Sequence, residues 1–431
     1  MKLFARSLPS WACAGDIFVL LFAEQANSFW LDREKHATAA FSVMGASEAV
    51  EDHATANFGR LRELVSGFAT ENSLELPFDF RPGLVGYLSY EGEAKFLLVD
   101  RAVVFDHAAN QTYFLGAFEE ELDFEAWYHA ALLRLALVGG ERAAYRMIQD
   151  KRQKLISHRW RFSKEQYIER IELAKEQIAN GEIYQLCLTN RIELELDADP
   201  LNVFLKLREQ NPAPYASYFK VGEHAVVCSS PEQFLTVSSS GLATSKPIKG
   251  TRARSSDVQE DAMVATELAA NEKERAENLM IVDLMRNDLG RVCEADSVSV
   301  PKLFEVESYA TVHQLVSTIE GKLQRGLDAL DALESLFPAG SMTGAPKQRA
   351  VKWLRQLEGA ERGVYSGVLG FLGSNSSADF GMVIRTIVFD GNKAFIGVGG
   401  GLTSDSDPHA EYEETRLKAK ATLEVLGATD W

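Results

Sequence analysis

A regular spacing of apolar residues begins just after residue 160. Apolar side chains recur every three or four positions from Tyr167 to Ile178, which predicts an amphipathic helix. Ser163 and Gln166 fit a capping box at the start of this helix, and the Asn180-Gly181 pair is typical of its end. We therefore predict one helix between residues 163 and 180.

Apolar and polar residues alternate in the segment that follows. Within residues 183–196 apolar and polar side chains alternate, as in Ile192 and Glu193, which predicts a strand with one buried face. Further strands are predicted at residues 215–220, 225–229 and 234–238. A turn at residues 239–241 then leads into the strand that carries Lys249.

The first 145 residues predict a β-rich lobe with helices. The predicted elements are strands at 17–22, 41–44 and 83–90 and helices at 51–68 and 121–137. A charged stretch at 139–161 predicts the connection to a second part of the chain. We therefore expect an N-terminal lobe over residues 1–145 and a second domain over residues 160–428.

Two later helices carry pairs of glutamates. Ser256 and Gln259 fit a capping box and predict a long helix that ends near Gly290, and a last helix is predicted over residues 409–426. Each helix carries two glutamates three positions apart, on one face: Glu274 with Glu277, and Glu411 with Glu414. Together they predict an oxygen-rich site for Mg²⁺. Ordinary solvated helix faces are the alternative.

The composition is that of a folded protein with an acidic surface. Of 431 residues, 46% are hydrophobic and 25% are charged, and the formal net charge is −17. This charge argues against binding to nucleic acid or to an anionic membrane, so an anionic substrate requires local cations or a metal ion. The four cysteines have no metal-binding spacing. With no apolar run long enough for a signal peptide or a membrane helix, we expect a soluble, cytoplasmic protein.

Residues 245–252 place one lysine among other cations. Lys249 precedes a glycine, and Lys246, Arg252 and Arg254 are close to it in sequence. Nearby cations lower the pKa of an amine and make it a better nucleophile, which is the functional interpretation. The alternative is a solvated basic turn, because most lysines lie at the surface.

Two glycine-rich segments and one arginine predict contacts with an anion. Residues 340–347 precede a helix whose first N–H groups would meet an anion, and the three glycines at 399–401 are predicted to form a loop after a strand at 394–398. Arg385, on a strand predicted at 382–389, would clamp a carboxylate. Simple turns and a structural ion pair are the alternatives.

A series of short motifs runs in order through residues from about 160 to 428: GEIYQ at 181–185, NPAPY at 211–215, SPEQF at 230–234, PIKGT at 247–251, RAENLMIVDLMRND at 275–288, VHQLVS at 312–317, GAPK at 344–347, IRT at 384–386 and EET at 413–415. In these motifs the chain resembles the chorismate-utilising enzymes, a family that includes anthranilate, aminodeoxychorismate, isochorismate and salicylate synthases. The resemblance implies an α+β fold of packed mixed or antiparallel sheets flanked by helices. The N-terminal lobe resembles that of anthranilate synthase component I more loosely.

Two positions separate the members of this family. PIKGT with Lys249 is similar to aminodeoxychorismate synthases, whereas anthranilate synthases carry a small residue at this position. Gln185 stands where isochorismate and salicylate synthases have a lysine base, which implies ammonia rather than water as the nucleophile. Asp32 lies in a segment that only loosely resembles the effector-binding segment of anthranilate synthases, so the resemblance leaves tryptophan binding open.

The resemblance implies a metal site and a catalytic group. Glu277 and Glu414 would hold Mg²⁺ against the ring carboxylate, with Glu274 and Glu411 as outer partners. The implied catalytic residues are Lys249 as nucleophile, Glu232 as proton donor and His313 near the ring, with an orienting or core histidine as the alternative for His313. The implied substrate-binding residues are Thr251, Tyr365, Arg385, Gly399, Gly400, Gly401 and Lys418.

The implied reaction is amination of chorismate at C4, with ammonia delivered by a separate glutamine amidotransferase subunit, on the route to 4-aminobenzoate and folate. Formation of anthranilate and pyruvate is the alternative. A non-catalytic relative that only binds chorismate is a further alternative, disfavoured because the implied catalytic residues are all present.

Overall fold

The computed structural model describes residues 1–8, 12–35, 40–136, 142, 145–146, 153–309 and 312–428. The strands in chain order are β1 (Lys2–Ser7), β2 (Asn27–Asp32), β3 (Phe41–Ala46), β4 (Val50–His53), β5 (Gly83–Leu88), β6 (Ala94–Val99), β7 (Arg101–Asp106), β8 (Gln111–Phe118), β9 (Lys154–Trp160), β10 (Gln185–Asp197), β11 (Tyr215–Val221), β12 (His224–Ser230), β13 (Gln233–Val237), β14 (Leu242–Lys246), β15 (Ile248–Ala253), β16 (Ser299–Ser308), β17 (Val312–Lys322), β18 (Gly344–Ala345), β19 (Val368–Gly373), β20 (Ala378–Met382), β21 (Thr386–Asp390) and β22 (Lys393–Leu402). The helices are α1 (Ala14–Leu21), α2 (Phe58–Ser66), α3 (Glu121–Ala136), α4 (Lys164–Ala179), α5 (Pro200–Gln210), α6 (Val258–Ala270), α7 (Glu272–Gly290), α8 (Ala329–Leu336), α9 (Lys347–Glu358) and α10 (Pro408–Val425), with a short 3₁₀ turn at Gly340–Met342.

These strands form two large sheets. The first has 12 strands in the order β1-β8-β7-β3-β2-β11-β12-β21-β22-β10-β18, with β9 also paired to β10. The second has 10 strands in the order β15-β17-β14-β13-β20-β19-β5-β6-β4, with β16 also paired to β17. All strand pairings in the described residues are antiparallel.

One hydrophobic core lies between the two sheets. Phe29 and Leu31 of β2 pack in the same buried cluster as Val85 and Tyr87 of β5. Trp30, between the first two, belongs instead to a cluster with the helices on the other side of the first sheet, because successive residues of a strand point to opposite faces. Both faces of β2 are therefore buried.

Helices cover the outer faces of both sheets. α5 and α10 pack through Phe204 and Leu423 against the first sheet, and α7 and α8 pack through Ile281 and Leu333 against the second. Each such buried side chain stabilises the fold by about 1.5–3 kcal/mol. This order of layers confirms the predicted α+β class of packed sheets flanked by helices. No described helix combines the length and the apolar character needed to cross a membrane.

Both sheets combine strands from the first 145 residues with strands from later in the chain. β2 pairs with β11, with Phe29 opposite Phe219, and β5 pairs with β19, with Val85 opposite Phe371. The division into residues 1–145 and 160–428 stays a prediction. Much of the predicted connection at 139–161 lies outside the described residues.

Two predictions in the N-terminal part were wrong. Residues 17–22, predicted as a strand, lie mostly in helix α1, because a short apolar run carries no periodicity that separates a helix from a strand. Residues 51–68, predicted as one helix, contain β4 and then α2. The side chain of Asn57 accepts the N–H of Arg60 and starts α2 seven residues later than predicted.

The capping box of α4 is confirmed, but the one predicted at Ser256 was wrong. Asp257 caps α6 instead, accepting the N–H groups of Gln259 and Glu260. The predicted long helix is two helices separated by Asn271, whose side chain accepts the N–H of Glu274. This cap fixes the start of α7, the helix that carries the first glutamate pair.

Candidate active site

A cavity of about 1010 Å³ is bounded by β15, β22, α7 and α10. All predicted site residues except His313 line it. They are Glu232, Lys249, Thr251, Glu274, Glu277, Tyr365, Arg385, Gly399, Gly400, Gly401, Glu411, Glu414 and Lys418. The fold thus gathers into one space residues that lie up to 186 positions apart, between Glu232 and Lys418.

Lys249 is nearly buried, with 13% of its side chain exposed, and its Nζ atom lies 3.5 Å from Oε2 of Glu277. Burial lowers the pKa of the amine, but attraction to Glu277 and to further carboxylates outweighs burial. The pKa of Lys249 therefore lies above its ordinary value, and the side chain is an ammonium in this arrangement.

The cations close to Lys249 in sequence do not lower its pKa, so that prediction was wrong. Each is paired with a carboxylate of its own: Lys246 with Glu307 at 3.2 Å, Arg252 with Glu267 at 3.0 Å, and Arg254 with Asp261 at 2.6 Å. A paired cation exerts little net field on a third group.

Glu232 is the carboxyl group with the clearest acid character in the cavity. It is 6% exposed, and burial raises its pKa to about 7. The hydroxyl of Ser341 donates a hydrogen bond of 2.7 Å to Oε1 of Glu232 and, with the nearby cations, limits that rise. A carboxyl group that titrates near neutral pH suits proton donation.

Two lysines contact three of the four glutamates. Lys418 lies 2.7 Å from Glu414, while Lys273 lies 3.9 Å from Glu277 and 4.0 Å from Glu411. Burial raises the pKa of Glu411, and repulsion from Glu414 adds to this. Among the described residues, no group of three or more His, Cys, Asp or Glu side chains is placed to hold a metal ion.

Comparison with known proteins identifies the family. A family model described as chorismate binding enzyme matches residues 24–424, a range that contains the whole lining of the cavity. The chain belongs to the chorismate-binding enzymes.

Members of this family from several organisms are similar to the chain. It is 39% identical to the aminodeoxychorismate synthase of Streptomyces pristinaespiralis, over 99% of this chain and 65% of that protein, so it spans less than two thirds of that relative. It is 35% identical to anthranilate synthase component 1 of Methanothermobacter thermautotrophicus, over 95% of this chain and 91% of that protein. The crystal structure of anthranilate synthase component I from Streptococcus pneumoniae TIGR4 matches with a TM-score of 0.76 at 26% identity, covering 97% of this chain and 92% of that chain.

The three glycines of this chorismate-binding enzyme lie within β22, not in a loop after a strand as predicted. β22 pairs with β10, with Gly401 opposite Cys187. A Cβ atom at Gly401 would lie 2.5 Å from Nζ of Lys249 and 2.8 Å from Nε2 of Gln185. Position 401 is therefore glycine because the lysine occupies the space that a side chain needs.

Arg385 lies between β20 and β21, and the prediction that it belongs to a strand was wrong. Its φ of 50° is in the left-handed region, which costs a non-glycine residue about 1–3 kcal/mol. Burial lowers the pKa of Arg385, and attraction to Glu232 partly offsets this. The guanidinium borders the cavity beside the acid.

His313 is the predicted site residue that the structure does not bring to the cavity. Val312 and Gln314 of β17 line the cavity, so His313 points to the opposite face of that strand. Its Nε2 atom lies 2.9 Å from Oδ1 of Asp261, and its Nδ1 atom lies 2.8 Å from the hydroxyl of Ser308. A role at the substrate ring stays a prediction that this geometry does not support.

Sequence reasoning missed Ser341 and Lys273. Residues 340–347 were singled out for their glycines, but nothing in the spacing connects Ser341 with Glu232, 109 positions earlier. Lys273 stands next to Glu274 in the sequence, and its position between two carboxylates follows only from the packing of α7 near α10.

Proposed function

We propose that this protein converts chorismate into 4-amino-4-deoxychorismate by adding ammonia at C4. The observation that carries the proposal is the presence of Lys249 in the same cavity as Glu232, a carboxyl group whose pKa is about 7. The name of the Streptomyces relative, aminodeoxychorismate synthase, supports this reaction. The name of the Methanothermobacter relative supports the alternative, in which the product is anthranilate.

Glu232 would donate the proton that the leaving hydroxyl of C4 requires. Hydroxide is a poor leaving group, and protonation lets it depart as water. With a pKa raised to about 7, Glu232 can carry this proton near neutral pH. Ser341 would hold the carboxyl group in one orientation through its 2.7 Å hydrogen bond.

Lys249 would act as the nucleophile of a two-step displacement. The Lys249 ammonium would first lose a proton to solvent. Its neutral Nζ atom would then form a bond to C2 while the ring double bonds shift, the bond between C4 and oxygen breaks, and the oxygen leaves as water with the proton of Glu232. Ammonia then forms a bond to C4, the double bonds shift back, and the bond between C2 and Nζ breaks. One proton of the added ammonia returns to Glu232 and Lys249 regains a proton from solvent, so both side chains end as they began.

The carboxylates fit Mg²⁺ by the chemistry of their donor atoms. Mg²⁺ prefers oxygen ligands and is usually held by one or two carboxylates together with water and substrate oxygens, so a cluster of three protein ligands is not required. Glu277 and Glu414 would bind it, with Glu274 and Glu411 as outer partners. When bound, Mg²⁺ would withdraw charge from the conjugated ring and offset the negative charge beside Lys249.

The remaining residues of the cavity would bind the second carboxylate of chorismate. Arg385 offers a planar guanidinium, and Lys418, whose Nζ atom donates to the carbonyl of Gly399 at 2.9 Å, offers a second cation. The other proposed contacts are Tyr365, Thr251 and the backbone from Gly399 to Gly401.

Ammonia would come from a glutamine amidotransferase subunit, as the resemblance implies, with free ammonium as a weaker source. The product would serve the formation of 4-aminobenzoate and folate, and we expect the protein to act in the cytoplasm.

Incubation of the purified protein with chorismate, Mg²⁺ and ammonium tests the proposal. We expect 4-amino-4-deoxychorismate, identified by mass and by conversion to 4-aminobenzoate with an added lyase. Anthranilate, recognised by its fluorescence, would establish the alternative. Unchanged chorismate, with glutamine and a partner subunit also supplied, would favour a non-catalytic relative.

A further inference from the structure

A buried ion pair lies behind the cavity wall, outside the chemistry proposed above. Arg362 and Glu358 are 3% and 4% exposed, and neither lines the cavity. Nε of Arg362 donates to Oε2 of Glu358 at 2.8 Å, and Nη2 donates to Oε1 at 2.6 Å. Burying two charges is unfavourable unless their polar atoms find good partners, so the remaining contacts indicate what this pair holds.

The guanidinium binds main-chain oxygens from two walls of the cavity. Nη1 of Arg362 donates to the carbonyl of Met342 at 2.7 Å, and Nη2 donates to the carbonyl of Cys187 at 2.8 Å. Both acceptor residues line the cavity. Because the guanidinium is rigid and planar, it fixes the distance between these two segments of the chain.

Glu358 connects the pair to the same strand as Cys187. Its Oε1 atom accepts the N–H of Thr189 at 3.0 Å and the hydroxyl of Thr189 at 2.9 Å. The guanidinium also lies 4.3 Å from the centre of the Tyr90 ring. Arg362 is thus held in one position from several directions.

The contact with Met342 reaches the proton donor through one intervening residue. Met342 directly follows Ser341, whose hydroxyl donates to Glu232 at 2.7 Å. A shift of the 3₁₀ turn at Gly340–Met342 would carry this hydroxyl away from the carboxyl group. We propose that Arg362, supported by Glu358, is a positioning residue that holds Ser341 against Glu232. That Glu232 donates a proton rests on the proposed function, whereas the positioning of Ser341 by Arg362 does not depend on it.

This role has a consequence for the titration of Glu232. The charged groups that face it are Lys249, Lys418 and Arg385, and each of them lowers its pKa, as does the hydrogen bond from Ser341. Replacing Arg362 leaves the three cations in place and loosens only the hydrogen bond. The pKa of Glu232 would then rise, and the protonated form would persist to higher pH.

The test compares Arg362→Lys, Ser341→Ala and the double variant with the unchanged protein. The first readout is the pH dependence of kcat with chorismate, Mg²⁺ and ammonium. The second is the infrared absorption of the protonated Glu232 carboxyl group during a pH titration, assigned with Glu232→Gln. Arg33→Lys is the matched control, because Arg33 is also a buried arginine, 1% exposed, which pairs with Asp379 at 3.1 Å away from the cavity.

We expect both single variants to raise the titration midpoint by about one pH unit, as for loss of a hydrogen bond to a charged group. The double variant should match Ser341→Ala alone, because Arg362 acts through Ser341, and Arg33→Lys should lower thermal stability without moving the midpoint. An unchanged midpoint in Arg362→Lys, or additive shifts in the double variant, overturns the proposal. If Arg362→Lys does not fold, Glu358→Asp takes its place under the same criterion. Should the unchanged protein make no product, the proposed function fails, while the infrared midpoints still decide this inference.

Discussion

The Nζ atom of Lys249 lies 3.5 Å from the Oε2 atom of Glu277. The proposed nucleophile is therefore in contact with a proposed metal ligand, and the carboxylate favours the protonated, unreactive form of the amine. In the proposed mechanism, the charge of Glu277 therefore affects how readily Lys249 becomes a neutral amine.

Substituting Glu277→Gln should lower the pKa of Lys249, because it removes the carboxylate that contributes most to raising it. Labelling of Lys249 by an amine-reactive reagent, followed by mass spectrometry across a pH series, measures this pKa. Glu274→Gln is the control, since Glu274 pairs with Arg252 at 3.2 Å instead. An unchanged labelling midpoint would show that Glu277 does not affect the pKa of Lys249.

Substituting Lys249→Ala should abolish amination at C4 or divert ammonia to direct attack at C2, because the covalent step requires the amine. Product analysis by mass spectrometry checks this. Lys246→Ala, which removes a lysine paired with Glu307, should leave the product unchanged. Full 4-amination by Lys249→Ala would exclude the covalent step.

Glu232 should make the protein less stable as the pH rises. Its pKa is about 7 in the folded state and about 4.5 when unperturbed, so between these values the folded state binds the extra proton. Stability is then greatest below pH 4.5, falls across this window, and has lost about 3 kcal/mol of this contribution above pH 7. Urea unfolding at pH 5 and pH 8 should show a smaller difference for Glu232→Gln; equal differences in the two proteins would contradict the burial argument.

Substituting Gly401→Ala should displace Lys249 and Gln185, since the new methyl group would lie within 3 Å of both. We expect amination to fall by at least about tenfold while the far-ultraviolet circular dichroism is unchanged, as for a misplaced reacting group. The control is Gly59→Ala in α2, where the nearest atom is 3.5 Å away. Equal activity of both variants would show that β22 accommodates the methyl group without displacing Lys249.

His313→Gln and Asp261→Asn should both lower stability more than kcat, because each weakens the 2.9 Å contact between β17 and α6 and Asp261→Asn also weakens the pair with Arg254. Thermal unfolding and the separate values of kcat and KM check this. A loss of kcat in His313→Gln that greatly exceeds the loss in Asp261→Asn would restore a role at the substrate ring.

Elements whose ends are set by their own residues were predictable. Ser163 and Gln166 bond to each other's backbone, so the start of α4 could be predicted from four consecutive residues. Neighbouring acceptors compete at the start of α6, where Ser256 was expected and Asp257 forms the cap. Which of the two residues caps the helix depends on the backbone conformation of the chain just before it.

Most residues that line the cavity were predictable by resemblance, with His313 as the exception, but the electrostatics of the cavity were not. The charge state of Lys249 depends on Glu277, which lies on a different element, and the sequence neighbours that suggested the opposite shift are neutralised by distant partners. The left-handed backbone of Arg385 was also not predictable, because the position lacks a glycine, the residue that usually indicates this conformation.

Because β2 pairs with β11 and β5 pairs with β19, neither sheet can be completed early in synthesis on the ribosome. β2 and β5 are synthesised early, but their partners arrive only with residues 215–221 and 368–373. Until then each early strand presents an open edge of unpaired N–H and carbonyl groups, which invites pairing with other chains. Pairings this distant in sequence also form slowly. Synthesis of this protein therefore passes through a long interval in which strand edges must be shielded, and the site can form only when almost the whole chain has been made.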